Sequence, residues 1–405
     1  MCAIFSSCNN CSTPLSRSLR QQLLGLLPRR PGMESVTLGI IGCGAISDVY
    51  FEAGNRFDAL DIVACADLDE DRAKSKADEY GIPRILPTED LLADPEIDVA
   101  VVLTPAGTHG DLVSAALRAG KHAYTEKPLA ATKAEGEAIL ETADERGLTV
   151  GVAPDTVLGT GIQTCRDLID EGRIGDPVGA TAFWSNHGHE HWHPDPDGFY
   201  AEGGGPLFDM GPYYLTSLVT LLGPIRSVAG TANTPFAERE ITSEPRRGER
   251  IPVSVPTHET AVVTFESGAT GTLLTSFDVW GSELPGFEIY GTEGTLSVTD
   301  PNRFDGTPRV HLSDDDDGEW REISVERDHP GQQRGLGLVD LAYSLDSDWD
   351  HRTSGDLGFH VLEAMDGIRE SAEEGAYVEL SAQCERPPSV PDGFPTDLGP
   401  TGDAE

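Results

Sequence analysis

The sequence predicts an α/β domain built on a parallel sheet, followed by an α+β domain whose open sheet is mostly antiparallel. Three observations predict it. The first half alternates short apolar, β-branched runs with helical stretches. A glycine pair closes the first of those runs. The second half changes to alternating apolar and polar residues joined by glycine-containing turns. A chain of 405 residues is long enough for two cores.

The elements follow in order. Val36 to Ile41 is the first strand, and Ile62 to Ala66, Val99 to Leu103, His122 to Thr125 and Thr149 to Val152 follow it. Helices are expected from Ile46 to Arg56, Glu70 to Tyr80, Thr108 to Ala119 and Lys133 to Arg146. Near-continuous apolar strands separated by helices imply a parallel sheet covered on both faces. This domain takes residues 33–155. Beyond it come a helix from Ile162 to Glu171 and alternating stretches from Val178 to Trp184, Glu259 to Phe265, Thr270 to Asp278 and Gly286 to Tyr290. A late helix from Leu357 to Glu373 packs on them, completing a second domain over residues 156–384. Residues 1–32 carry Arg17, Arg20, Arg29 and Arg30 but no acid, and read as a disordered extension or a wrongly set start before Met33. Their LLGLL run is too short for an export signal. Residues 385–405, rich in proline, glycine and acid, are expected to be a tail that is loose or draped on the surface.

Charge restricts the function classes. Acids number 69 and bases 29, a net charge of -40. Such a surface repels nucleic acid and anionic membranes. No apolar stretch is long enough to span a bilayer. Lysine stands only at positions 74, 76, 121, 127 and 133, and the acids are spread along the whole chain. Salt would screen the resulting self-repulsion, so the composition points to the cytoplasm of a salt-rich cell. The seven cysteines form no disulfide framework, and Cys8 and Cys11 make one lone CxxC. A reduced setting fits that usage.

The first strand runs into Gly42-Cys43-Gly44-Ala45-Ile46-Ser47. Gly42 permits the tight turn, Gly44 permits close approach of a pyrophosphate, and the small Ser47 takes the third position of the fingerprint. The pyrophosphate would meet the amino end of the following helix. Asp67 closes the second strand about twenty residues later, where a carboxylate binds ribose hydroxyls. Together these predict a dinucleotide-binding Rossmann domain. A carboxylate at Asp67 repels a 2′-phosphate, so NAD is favoured over NADP, although Arg72 is near.

Three stretches carry a family resemblance: GIIGCGAIS, VVLTPAGTHGDLVSAALRAGKHAYTEKPLA over 101–130, and GGGPLFDMGPYYL over 203–215. Across roughly residues 34–380 the chain resembles the glucose-fructose oxidoreductase, inositol dehydrogenase and rhizopine-catabolism family, Gfo/Idh/MocA. The resemblance implies a Rossmann domain and an α+β domain whose open sheet often supports homo-oligomers. It implies oxidoreductases of sugars or cyclitols that use a nicotinamide cofactor. It places proton transfer and substrate binding on Lys127 and an orienting role on Asp209. It sets Thr104, Pro105 and His109 around the nicotinamide half of the cofactor. Tyr213 stands where the family carries a histidine, which leaves the general base open.

The residues themselves support part of this. Glu126-Lys127-Pro128 closes a strand of the parallel sheet, where ligands of such sheets sit. A lysine there can donate to a developing alkoxide, or with a depressed pKa accept the proton; otherwise it forms a salt bridge. Glu126, next to it, is expected beside the cofactor. Thr108 as a helix cap and a packed His109 would need no ligand. Asp209 and Tyr213, four apart, share one helix face. A tyrosine, with an ordinary pKa of about 10, is a poor base at neutral pH. Tyr213 therefore exchanges the proton, positions the sugar or packs in the core, with Tyr214 as its neighbouring alternative.

His187, His189, His191 and His193 are spaced by two. On an extended strand they would share a face and form a site wall, with His191 or His193 replacing the missing helix histidine. Alternate strand positions rarely converge on one tetrahedral centre, so no metal is expected. The expected activity is hydride transfer between NAD or NADP and a secondary alcohol of a sugar or cyclitol. The alternatives are an NAD-retaining glycoside hydrolase or eliminase that oxidises the sugar transiently, and a nonenzymatic sugar or dinucleotide sensor.

Overall fold

The structure, a computed structural model, describes residues 35–395 apart from 315–317, 326, 328–333, 383 and 392–393. The expectations for residues 1–32 lie outside the described residues.

Val36–Ile41 (β1) opens the chain's first sheet, and Ser47–Arg56 (α1) follows the glycine turn. Leu60–Ala66 (β2) leads to Glu70–Tyr80 (α2). Asp69 caps α2 by accepting the Arg72 N–H at 3.2 Å, and left-handed Gly81 ends it. Two short elements escaped the sequence pattern, Arg84–Ile85 (β3) and Thr88–Ala93 (α3). Neither is long enough to show a period. Val99–Val102 (β4), His109–Arg118 (α4), His122–Thr125 (β5), Lys133–Arg146 (α5) and Val150–Val152 (β6) complete this half. A capping box between Thr132 and Glu135 starts α5, and left-handed Gly147 stops it.

The strands are all parallel, in the order β3-β2-β1-β4-β5-β6. The order reverses beside β1, which is the switch point where ligands bind outside the carboxyl ends. Ile41 pairs with Val102 and Val102 with Thr125, so the glycine turn and the Glu126-Lys127-Pro128 corner lie on one edge.

Thr160–Asp170 (α6) leads into Pro177–Ser185 (β7), followed by the long helix Pro206–Leu222 (α7). Then come Ile225–Asn233 (β8), Glu238–Glu240 (β9), Arg250–Pro252 (β10), His258–Phe265 (β11) and Thr270–Ser276 (β12). Phe287–Gly291 (β13), Gly294–Ser297 (β14), Arg309–Leu312 (β15) and Arg321–Glu322 (β16) precede the helices Leu336–Asp346 (α8) and Gly355–Glu374 (α9). Val378–Glu379 (β17) is the last strand. The second sheet runs β16-β15-β14-β13-β7-β12-β11-β8-β17 and is antiparallel except where β7 pairs β12. α7 is apolar nearly all round and buried along its length against β7, β11 and β12. β9 and β10 pair separately near a small cluster of Tyr200, Ile241, Ile251 and Phe277.

One apolar core runs through both sheets. Backbone contacts stitch the halves together: Val152 N–H donates to Thr353 O at 2.9 Å, and Gly151 bridges Ser354. The proline-rich segment, which composition leaves loose or draped, is draped on the fold where it is described. Arg166 donates to Pro387 O at 2.6 Å, Gln163 Oε1 accepts the Val390 N–H at 2.8 Å, and Phe394 packs on Trp349. Among the described residues no helix is long and apolar enough to cross a membrane.

Candidate active site

The glycine turn has the shape its sequence demands. Gly42 has φ +100°, and a Cβ there would stand 2.8 Å from the Leu103 carbonyl. A Cβ on Gly44 would meet nothing within 4 Å, so the space beside the turn is open. Ala45 is exposed and Ile46 half-buried at this mouth, immediately before α1. Asp67 braces the turn: its Oδ2 accepts the Cys43 N–H at 2.8 Å, and its Oδ1 accepts the Asp69 N–H at 2.8 Å. Arg72 Nη1 lies 3.4 Å from that Oδ1. An open glycine cradle ahead of a helix, with a carboxylate at the end of β2, fits a dinucleotide. Gly42, Gly44, Ala45 and Ile46 would hold its pyrophosphate, and Asp67 its ribose.

Thr104 Cγ2 would lie 3.1 Å from a Cβ on Gly42, which puts Thr104-Pro105 beside the turn. His109, buried at 1% exposure, has Nδ1 2.7 Å from Pro128 O and Nε2 2.8 Å from Thr104 O. It ties together the corners after β4 and β5. Glu126 is buried; its Oε1 accepts the Tyr50 hydroxyl at 2.8 Å, and its Oε2 accepts the Lys127 N–H at 3.1 Å. The Tyr50 bond links α1 to the corner after β5. The Lys127–Pro128 peptide is cis.

Lys127 reaches across to α7. Its Nζ donates to Asp209 Oδ1 at 2.9 Å and to Asp209 O at 2.5 Å. The Tyr213 ring centroid lies 5.3 Å from the same ammonium. Burial pulls the Lys127 pKa down, but the fields of Asp209, Tyr213 and Glu126 push it above the ordinary lysine range. Burial pushes the Asp209 carboxyl up, while Lys127 and His189 hold it well below the usual carboxylate range. Lys127 is thus held as an ammonium. The ion pair with Asp209 presents it as a hydrogen-bond donor.

The histidine series is not a strand. β7 ends at Ser185, and residues 187–193 form bends and a turn in which the His193 N–H donates to His189 O at 2.9 Å. The side chains therefore diverge. His187 stacks on Trp280 at 3.3 Å between centroids. His191 is exposed, and His193 Nδ1 accepts the Asp195 N–H at 3.1 Å. The imidazole that reaches Asp209 is that of His189, with Nε2 3.0 Å from Oδ2. His191 and His193, expected at the site, make no such contact. Tyr214, the alternative to Tyr213, is buried toward Phe287, with ring centroids 6.0 Å apart.

Comparison with known proteins shows the family. Residues 36–153 match the profile described as the Gfo/Idh/MocA oxidoreductase family, NAD-binding Rossmann fold, and residues 162–297 match the Gfo/Idh/MocA C-terminal domain. The chain belongs to the Gfo/Idh/MocA family. It is accordingly an NAD(P)-dependent oxidoreductase, and its first domain is an NAD-binding one. Among curated Gfo/Idh/MocA proteins it is similar to a D-xylose 1-dehydrogenase (NADP(+)) of Haloferax volcanii, 28% identical over 85% of this chain and 98% of that one. A scyllo-inositol 2-dehydrogenase (NAD(+)) of Bacillus subtilis is 28% identical over 65% of this chain and 73% of its own. Among solved structures, levoglucosan dehydrogenase in complex with NADH and L-sorbose shares the fold, with TM-score 0.75 at 23% identity, covering 87% of this chain and all 100% of the other.

Two residues at this Gfo/Idh/MocA site were not singled out from sequence. His189 was one of four equivalent histidines until the turn singled it out. Arg334, just ahead of α8, has its guanidinium 5.7 Å from the Tyr213 ring, on which Lys127 also lies. Arg334 Nη2 donates to Asn302 Oδ1 at 2.9 Å, and its buried Nη1 finds no partner among the described residues. Burial pulls its pKa down, and the fields of Tyr213, Glu126 and Asp155 outweigh burial, so it stays charged. No motif surrounds Arg334, and only the tertiary fold brings it here.

Proposed function

We propose that this protein interconverts a secondary alcohol of a sugar or cyclitol and the corresponding ketone or lactone, with Lys127, Asp209 and Tyr213 as the groups at the reacting oxygen. The observation that carries this is the Lys127–Asp209 ion pair at 2.9 Å, formed on the cofactor edge of the parallel sheet with the Tyr213 ring against it. Bound NAD supplies the hydride acceptor. Lys127, kept protonated by Asp209, donates to the substrate oxygen and stabilises the charge that develops on it. With Lys127 as the donor, Tyr213 beside it is the proton-exchange group: its tyrosinate would take the alcohol proton on oxidation, and its hydroxyl would return one on reduction of the carbonyl. Asp209 fixes the direction of the ammonium, which is an orientation effect. NAD is preferred to NADP because the Asp67 carboxylate after β2 would repel a 2′-phosphate. The substrate class is supported by the names of the similar dehydrogenases, which act on D-xylose, scyllo-inositol and levoglucosan.

The test is a screen of those three compounds and their oxidised forms in concentrated KCl, with NAD and NADP in parallel. Stoichiometric formation of reduced cofactor supports the dehydrogenase. Bond cleavage without net reduced cofactor would instead identify an NAD-retaining hydrolase or eliminase. Binding without turnover would leave a sensor. Lys127→Ala should lower kcat by about a hundredfold or more, as expected on losing an oxyanion donor.

We further infer a cytoplasmic homo-oligomer. The free cysteines Cys43, Cys65, Cys165 and Cys384 and the acidic composition support the compartment. The uncovered face of the second sheet supports the assembly: Phe183, Val262, Leu274 and Tyr377 line a shallow recess there. Light scattering should give a mass above the 43.3 kDa of one chain, and Val262→Glu should lower it.

A further inference from the structure

The turn after β7 is built around one histidine. Asn186 Oδ1 accepts the Gly188 N–H at 2.8 Å, and Gly188 has φ +86°, a conformation that excludes most side chains. The His189 N–H then donates to the buried Tyr200 hydroxyl at 3.1 Å. The imidazole is 6% exposed. Phe199, Phe277 and Trp192 surround it edge-on, with centroids at 4.3, 4.7 and 5.2 Å.

Its hydrogen bonds determine its tautomer. The Trp192 Nε1–H donates to His189 Nδ1 at 3.1 Å. An indole nitrogen can only donate, so Nδ1 must carry the lone pair. The proton of the neutral ring then sits on Nε2, which donates to Asp209 Oδ2 at 3.0 Å. Asp209 Oδ1 is left to Lys127 at 2.9 Å. The two oxygens of one carboxylate are thereby divided, one fixed by the imidazole and one holding the ammonium.

We propose that His189, oriented by Trp192, is a positioning residue that locks the Asp209 carboxylate and through it aims the Lys127 ammonium at the substrate oxygen. His189 does not itself take the substrate proton. Both ring nitrogens are engaged and the aromatic ring of neighbours closes around it. This proposal rests on the roles given above to Lys127 and Asp209.

Steady-state kinetics on whichever of D-xylose, scyllo-inositol or levoglucosan proves active tests it. His189→Leu should lower kcat about 10- to 100-fold, the usual effect of losing a group that orients a site ligand. KM for the sugar, affinity for NADH and melting temperature should stay near those of the parent. His189→Gln, whose amide N–H can reach Asp209, should recover most of kcat. Nitrogen-15 spectra of histidine-labelled protein should show His189 as the Nε2–H tautomer, and Trp192→Phe should relax that preference and lower kcat. Where the Leu variant does not fold, the Gln and Phe variants decide. An Nδ1–H tautomer, or unchanged kcat in His189→Leu or Trp192→Phe, overturns the proposal. If Lys127→Ala and Asp209→Ala are inactive in that case, the wider functional reading stands without it. If those two variants keep full activity, the wider reading falls instead.

Discussion

At the residue scale the site depends on a few atoms whose roles can be separated. Tyr213 is 6% exposed and its ring packs against both Lys127 and Arg334, so its ring and its hydroxyl contribute differently. Tyr213→Phe keeps the ring. It should lower kcat by about 10²- to 10⁴-fold, the usual worth of a proton-transfer group, with an unchanged melting temperature. A rise in KM at constant kcat would instead mean that the hydroxyl only positions the sugar. Gly42→Ala should act on the cofactor. Its Cβ would stand 2.8 Å from Leu103 backbone atoms at φ +100°, so stability should fall by roughly 1–3 kcal/mol. NADH affinity should fall about tenfold or more, equivalent to about 1.4 kcal/mol, measured by titration. Lys127, Asp209 and Tyr213 were legible because each sits in a short motif. His189 was not separable from His191 and His193, because the period-two spacing described a strand that Gly188 breaks.

At the scale of elements, the strands of the parallel sheet were legible because burial on both faces leaves an uninterrupted apolar run. β3 and α3 were not, being too short for a period. Composition left the proline-rich segment beyond β17 either loose or draped, because its anchors are the distant Gln163, Arg166 and Trp349, which composition does not register. α9 offers a test of how one helix is secured. Glu363 on α9 is 4% exposed, receives Lys133 Nζ from α5 at 2.6 Å, and accepts the Ala382 N–H at 2.7 Å. Burial pushes its carboxyl up, but Lys133, Ser381 and Ala382 more than offset this and hold its pKa at about 2. Because the folded value lies below the ordinary glutamate value of about 4.3, its contribution is full above that pH. It is lost as pH falls toward about 2. Glu363→Gln should therefore destabilise the protein by up to about 3 kcal/mol at neutral pH. Urea unfolding of the two proteins should converge as pH falls through that window.

At the scale of the whole molecule, the property that salt acts on is charge. The net charge is -40 on a fold whose core is continuous through both sheets. Screening shortens from about 10 Å at 0.1 M salt to about 3 Å at 1 M. The melting temperature should rise by roughly 10 °C or more between about 0.1 and 2 M KCl. A flat response would mean that the acids are already neutralised within the fold. Fold class was legible at this scale because the pattern changes near residue 155. The meeting of Lys127 with Asp209 was expected because both lie in motifs of one family; that of Arg334 with Tyr213 was not, since no motif marks Arg334.

The indole that fixes the His189 tautomer has its own use. Trp192 is 56% exposed at the rim of the site, yet its N–H is bound to an inner residue of that site. Its emission should therefore change when a sugar fills the cleft. Subtracting the spectrum of a Trp192→Phe protein isolates that signal from the remaining tryptophans, giving an intrinsic optical reporter of substrate occupancy without a dye or coupled assay.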